Sequence, residues 1–189
     1  MWDKTKLKSV KNLYKEEVLQ IPAIFKNKDD YVAFLMAQSY QESGWNEESV
    51  SKTGCKGFAQ FELSTWKFVW KKLLKHEEIP SIWDIKAQII AQHTYMKYLI
   101  NAVSKKEPML PRQEILASSL MAYNGGLSVV EWCLEYHGVV SVIALRDYRN
   151  SHKSTYPDEN KIFEILNYPI SIFNIWLSLI HISEPTRPY

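Results

Sequence analysis

The sequence has no cysteine or histidine pair at zinc-ligand spacing, no glycine-rich phosphate loop and no Gly-x-Ser-x-Gly elbow. Chemistries announced by those motifs are therefore set aside, and no metal or cofactor is expected. The five histidines, His76, His93, His137, His152 and His181, are scattered, as surface or packing residues are. Cysteine is scarce. Cys55 and Cys133 lack an evident histidine partner and read as buried free thiols, a disulfide between them being the other option. Charge of one sign is lacking as well. The net charge is only +2, with lysines spread along the chain, which argues against nucleic acid and leaves a weak attraction to an anionic polymer. The N-terminal stretch has no apolar h-region, so it is not read as a secretory signal. At the other end the apolar run Ile170 to Ile182 is too short for an integral membrane segment.

What remains is an ordinary soluble composition, 46% hydrophobic and 23% charged over 189 residues, enough for one domain with a sizeable core. Aromatics reach 13%; they serve a core and also stack on sugar rings. Apolar residues recur at helical spacing almost throughout. Leu7, Val10, Leu13, Tyr14 and Val18 mark a helix before Pro22. Ser64 or Thr65 is expected to cap a helix through Trp66, Val69, Trp70, Leu73 and Leu74, and Ile85 to Val103 lie on a long one. Pro111 opens the next, Ser128 to Glu131 reads as a capping box for a short helix closed by Gly138, and Pro157 or Asp158 begins another. The run Val139 to Leu145 suits strand or buried helix; its helical surroundings favour helix.

One carboxylate stands out. Asp29 or Asp30 can cap a helix from Tyr31 to about Ser43, stopped by Gly44, which puts Glu42 in the last turn at the edge of the apolar face holding Val32, Leu35, Met36 and Ser39. The negative end of the helix dipole and desolvation by Trp45 and Phe58 would both raise its pKa, as a general acid requires. A lone glutamate near a helix end is commonly a solvated surface residue, so its company matters. Downstream lie the small-residue turn Ser51 to Gly57, then Phe58-Ala59-Gln60-Phe61, and far along the chain Ala122-Tyr123-Asn124-Gly125-Gly126. Such amides and aromatics suit a sugar cleft.

In this order the clusters resemble the soluble lytic transglycosylase (SLT) family of the lysozyme-like superfamily. Glu42-Ser43 looks like the family's Glu-Ser pair, and Trp45-Asn46, Val50-Ser51 and Gly54 resemble the segment after it. Gly57-Phe58-Ala59-Gln60 resembles Gly-Leu-Met-Gln, Thr65 its downstream threonine, and Ala122 to Gly126 is similar to Ala-Tyr-Asn-Ala-Gly. Pro157-Asp158-Glu159 with Phe163 resembles, more weakly, a Pro-x-Glu-Thr segment and its following tyrosine. Departures are Cys55 for alanine, Leu63 for proline and Phe163 for the tyrosine, which removes a hydroxyl.

The resemblance implies an all-α, lysozyme-like domain with a cleft between helical lobes, acting as a monomer on peptidoglycan glycan strands. It implies Glu42 as the catalytic acid, with Ser43, Gln60, Tyr123 and Asn124 binding substrate; their structural alternatives are a helix-end serine, a loop-bracing amide, a core tyrosine and a C-capping asparagine. With one acid well placed, the muramic C6 hydroxyl is the expected nucleophile and a 1,6-anhydro sugar the product. A hydrolytic muramidase using Glu47, Glu48 or Glu62 to activate water is the alternative, and a non-catalytic wall-binding or virion protein the third. The missing signal fits a phage lysis or tail-associated enzyme, or an exported one lacking its true start. Residues 1–28 are then a helix and lead-in and 29–168 the catalytic domain. Residues 177–187 read as a translated transposase sequencing adapter, with natural sequence stopping near Trp176, and are left out of fold reasoning.

Overall fold

Local caps and apolar spacing account for most of the helices in the computed structural model, which describes residues 3–183. Among these residues the fold is all-α: eight α-helices and one π-helical turn, with isolated bridges pairing Val50 with Lys56 and Lys56 with Phe61 in place of any strand. The chain divides into two units. The first runs through Tyr95 and resumes at Ile172; the second is Met96–Ser171.

In the first unit α1 (Lys4–Glu17) starts on Asp3, whose carboxylate accepts the Thr5 and Lys6 amides, and buries Val10 and Tyr14. Helix α2 (Lys28–Ser43) begins three residues earlier than expected, because Asn27 is the cap: its Oδ1 accepts the Asp30 amide at 2.8 Å. Asp29 and Asp30 instead sit in the first turn, where the dipole favours them. Asp29 pairs with Lys15 at 2.7 Å, and that hydrogen bond holds its carboxyl below the usual range. Helix α2 is also more than amphipathic. Every residue from Tyr31 to Ser39 except Ala33 is buried, so the helix is a central strut.

Helix α3 (Leu63–Phe68) is not capped by Ser64 or Thr65. Glu62 holds the extended cap position without a side-chain bond, and Ser64 donates to the Glu62 carboxylate at 2.9 Å. The helix widens into a π-helical turn at Val69–Leu73. Trp66, Val69 and Trp70 pack there with Ala59, Phe61, Ala87 and Ala91; burying each large side chain contributes about 2 kcal/mol. Helix α4 (Ile85–Lys106) follows Asp84, whose carboxylate accepts the Ala87 amide.

The second unit holds the end of α4, then α5 (Arg112–Gly125), α6 (Leu127–His137), α7 (Val142–Ser151) and most of α8 (Glu159–Ser183). The capping box expected at Ser128 does not form. Gly126 alone separates α5 from α6, so Ser128 already lies inside the helix and Gly126 is the cap. The run Val139 to Leu145 turns helical after Ser141, whose hydroxyl accepts the Ala144 amide. Asp158 caps α8 through the Lys161 amide at 2.8 Å. Cys133 is buried in this unit as expected, and burial pushes its thiol up to about 12; Cys55, in the first unit, is only half-buried, and both are free.

The C-terminal apolar run proves to be part of a longer element. The stretch Glu159–His181 of α8 is long and apolar enough to cross a membrane by length and composition, with a third of it buried within the protein. Of the residues assigned to the adapter, 177–183 end α8, with Leu179 buried, and 184–187 lie outside the described residues.

Candidate active site

Glu42 is half-buried in the last turn of α2, and the chain behind it is held by unusual backbone. Gly44 closes the helix at φ 62°, and Trp45 follows at φ 61°, a left-handed conformation that a bulky residue adopts only when its surroundings compel it. They do so here. The Trp45 side chain is buried, its Nε1 donates to the Met36 carbonyl at 2.9 Å, and its ring meets Tyr40 edge-on. Ser43 ties this end to the next motif: its hydroxyl donates to the Phe58 carbonyl at 2.8 Å, with the Ser39 carbonyl at 3.3 Å, and accepts the Asn46 amide.

The motif Gly57 to Gln60 is a tight turn bound by Lys56 and Phe61, which exchange both backbone hydrogen bonds at 3.0 Å. Gln60 is left-handed at φ 50°, and its Nε2 donates to Gly57 and Ser49 carbonyls at 2.8 and 3.1 Å. The amide nitrogen of Gln60 thus braces the loop. Gly57 has to be glycine. Its φ is 76°, and a Cβ there would stand 1.9 Å from Gln88 Nε2. Gln88 in turn accepts the Ala59 amide at 2.7 Å and donates to the Lys56 and Ile82 carbonyls.

Glu47, Glu48 and Glu62 are all exposed in this unit, the first two lining a cavity of about 440 Å³ with Trp83. Within the first unit, then, Glu42, Ser43 and the Gln60 turn are joined through Ser43 and Phe58. Tyr123 and Asn124 belong to the second unit, both half-buried near the end of α5. Asn124 donates to Glu164 Oε1 at 2.9 Å, while its Oδ1 is buried without a hydrogen-bond partner among the described residues. Partial burial pushes Glu164 up, but hydrogen bonds from Lys161 and Asn124 prevail and hold its carboxyl below the usual range. Gly125 is needed where it stands, since a Cβ would lie 2.6 Å from Ile165 Cδ1, and its carbonyl accepts the Tyr156 hydroxyl at 2.9 Å.

Comparison with known families now decides the kinship of this arrangement. The model of the transglycosylase SLT domain matches residues 23–138, more than half of the chain. The chain belongs to the transglycosylase SLT domain family. It is also 28% identical over 128 residues to the membrane-bound lytic murein transglycosylase F of Actinobacillus succinogenes, a match covering 67% of this chain and 24% of that protein. The chain therefore spans about a quarter of the length of that curated relative.

The SLT match takes in Glu42, Ser43, Gln60, Tyr123 and Asn124, while α1, α7 and α8 lie outside it. So does the segment resembling Pro-x-Glu-Thr. There Glu159 is engaged by Arg146 and Arg149 at 2.7 and 3.0 Å, and Phe163 is exposed. Sequence reasoning missed the residues that brace the SLT motifs: Gln38, Gln88 and Gln92, all buried, and Glu164 beside Asn124. A signal was present for two of them. Gln88 and Gln92 lie one turn apart among Ala87, Ile89, Ile90 and Ala91, and a glutamine on an apolar helix face has to find partners. Among the described residues no group of acidic, histidine or cysteine side chains could hold a metal ion.

Proposed function

We propose that this chain is a peptidoglycan lytic transglycosylase that cleaves the β-1,4 bond from N-acetylmuramic acid to N-acetylglucosamine and leaves 1,6-anhydromuramic ends. The observation that carries the reading is the placement of Glu42, half-buried at the end of α2 and joined through Ser43 to the Gly57–Gln60 turn, inside a chain of the SLT family. The kinship to a lytic murein transglycosylase supports the same chemistry.

In this reading Glu42 donates a proton to the glycosidic oxygen. The carboxylate so formed then takes the proton of the muramic C6 hydroxyl as that oxygen attacks C1. No water is consumed. Hydrolysis by this scheme would need a second carboxylate to activate water, and Glu47, Glu48 and Glu62 are all exposed. The tethered C6 hydroxyl has the advantage of a high effective concentration. Ser43 orients the catalytic turn, and Gln60, Tyr123 and Asn124 bind substrate, the buried Asn124 Oδ1 being an acceptor without a hydrogen-bond partner among the described residues. The catalytic domain is residues 29–168, with 177–187 outside it.

Mass spectrometry of digested peptidoglycan tests the proposal. The expected fragments end in 1,6-anhydromuramic acid, about one water lighter than hydrolysed ones, as tethered attack requires. Reducing ends throughout would mean that water was the nucleophile, and the muramidase reading would replace this one.

A further inference from the structure

A buried chain of polar side chains runs from α1 to the helix that carries Glu42. Tyr14, with no exposed surface, donates its hydroxyl to Gln92 Oε1 at 2.5 Å. Gln92 Nε2 donates onward to Gln38 Oε1 at 2.8 Å and to the Leu35 carbonyl at 3.1 Å, and the Tyr14 oxygen also lies 3.4 Å from that carbonyl. Both glutamines are fully buried. Gln38 precedes Glu42 by four residues in α2, so the two share a face one turn apart. The Tyr14 ring meanwhile meets Phe58, whose carbonyl receives the Ser43 hydroxyl.

We infer that Tyr14 is a positioning residue for Glu42, acting through Gln92 and Gln38. It stands on α1, outside the residues matched by the family model, so the chain supplies from its own N-terminal helix a support for the site. The physical need is plain. The last four carbonyls of a helix have no intrahelical partners, and an end-of-helix carboxylate is only as fixed as the turn beneath it. Gln38 lies in the turn before Glu42, and its buried amide oxygen needs a donor. Gln92 holds it, and the Tyr14 hydroxyl fixes which way the Gln92 amide faces, because the phenol donates to Oε1 and leaves Nε2 to donate to Gln38. A packing role alone would be filled by phenylalanine; the inference concerns the hydroxyl.

The inference rests on the proposed role of Glu42, and the test separates the two. Tyr14→Phe keeps the ring and deletes the donor. Turnover at saturating soluble glycan should fall roughly tenfold, as loss of sub-ångström positioning does, with the half-saturating concentration unchanged and unfolding still cooperative. Should that variant fail to fold, Tyr14→Phe combined with Gln92→Met removes the orphaned Oε1 together with the donor to Gln38, breaks the same relay and carries the same expectation. Wild-type turnover in a folded variant overturns the inference, as does failure of both variants to fold, which would make Tyr14 structural only. A folded wild-type chain that releases no fragments overturns the reading of Glu42, and this inference with it.

Discussion

The ends of α2 and α5, one in each unit, are built in opposite ways. At the end of α2 nearly every polar group near Glu42 is spent on backbone: Ser43 on the Phe58 carbonyl, Gln60 on Gly57 and Ser49, Gln88 on Ala59 and Lys56. At the end of α5 the polar groups meet side chains, Asn124 on Glu164 and Glu164 on Lys161, and the Asn124 Oδ1 is left over. The first end is a mount that fixes one carboxylate. The second leaves one buried acceptor without a hydrogen-bond partner among the described residues. On the proposed function, rigidity at the first end serves the proton transfer and spare hydrogen-bonding capacity at the second serves the sugar.

The largest effect should come from the carboxylate on the mount. Glu42→Gln is nearly isosteric but has no acidic proton to transfer, so release of fragments should fall about a hundredfold to ten-thousandfold with the fold intact. Zymograms beside circular dichroism check this; undiminished clearing by the folded variant would remove Glu42 from the mechanism. The next effect should come from the mount itself. Gly57→Ala would place a Cβ 1.9 Å from Gln88 Nε2 at a left-handed φ, displacing the glutamine that holds the turn. A loss of about 3 kcal/mol is expected in denaturant unfolding, from strain together with broken buried hydrogen bonds.

The smallest effect belongs to the second end. Because the folded carboxyl of Glu164 titrates below its ordinary value of 4.5, its stabilising contribution is present above that value and lost as the pH falls through the lowered folded one. Glu164→Gln should therefore be slightly less stable near neutrality and lose less stability on acidification, by well under 1 kcal/mol, since the side chain is 57% exposed and screened by solvent. Melting curves of the two proteins between pH 6 and about pH 3 would show the difference narrowing as the carboxyl protonates. A constant difference would mean that Asn124 is held by packing and not by the charge.

Much of the fold was legible because it is local. Gly44, Pro111 and Asp158 stop or start helices through bonds to residues three or four away, with both partners close in the sequence. The all-α class and the place of Glu42 in the last turn of α2 followed from such patterns, while the SLT kinship was carried by a resemblance of ordered motifs. Where local signals competed, the expectation failed. Asn27 displaced Asp29 and Asp30 as the cap of α2 once Asp29 had Lys15 to pair with. Gly126 displaced Ser128 because a single residue makes the whole connection between α5 and α6.

The sequence by itself determined which residues end helices and which carboxylate stands at the end of one, since both depend on spacings of a few residues. Only the tertiary structure decided how the buried polar side chains are partnered. Tyr14 and Gln92 are 78 positions apart, Gln38 and Gln92 are 54, and Asn124 and Glu164 are 40. A buried glutamine announces that it needs partners without naming them, because a hydrogen bond is indifferent to how much chain lies between its ends.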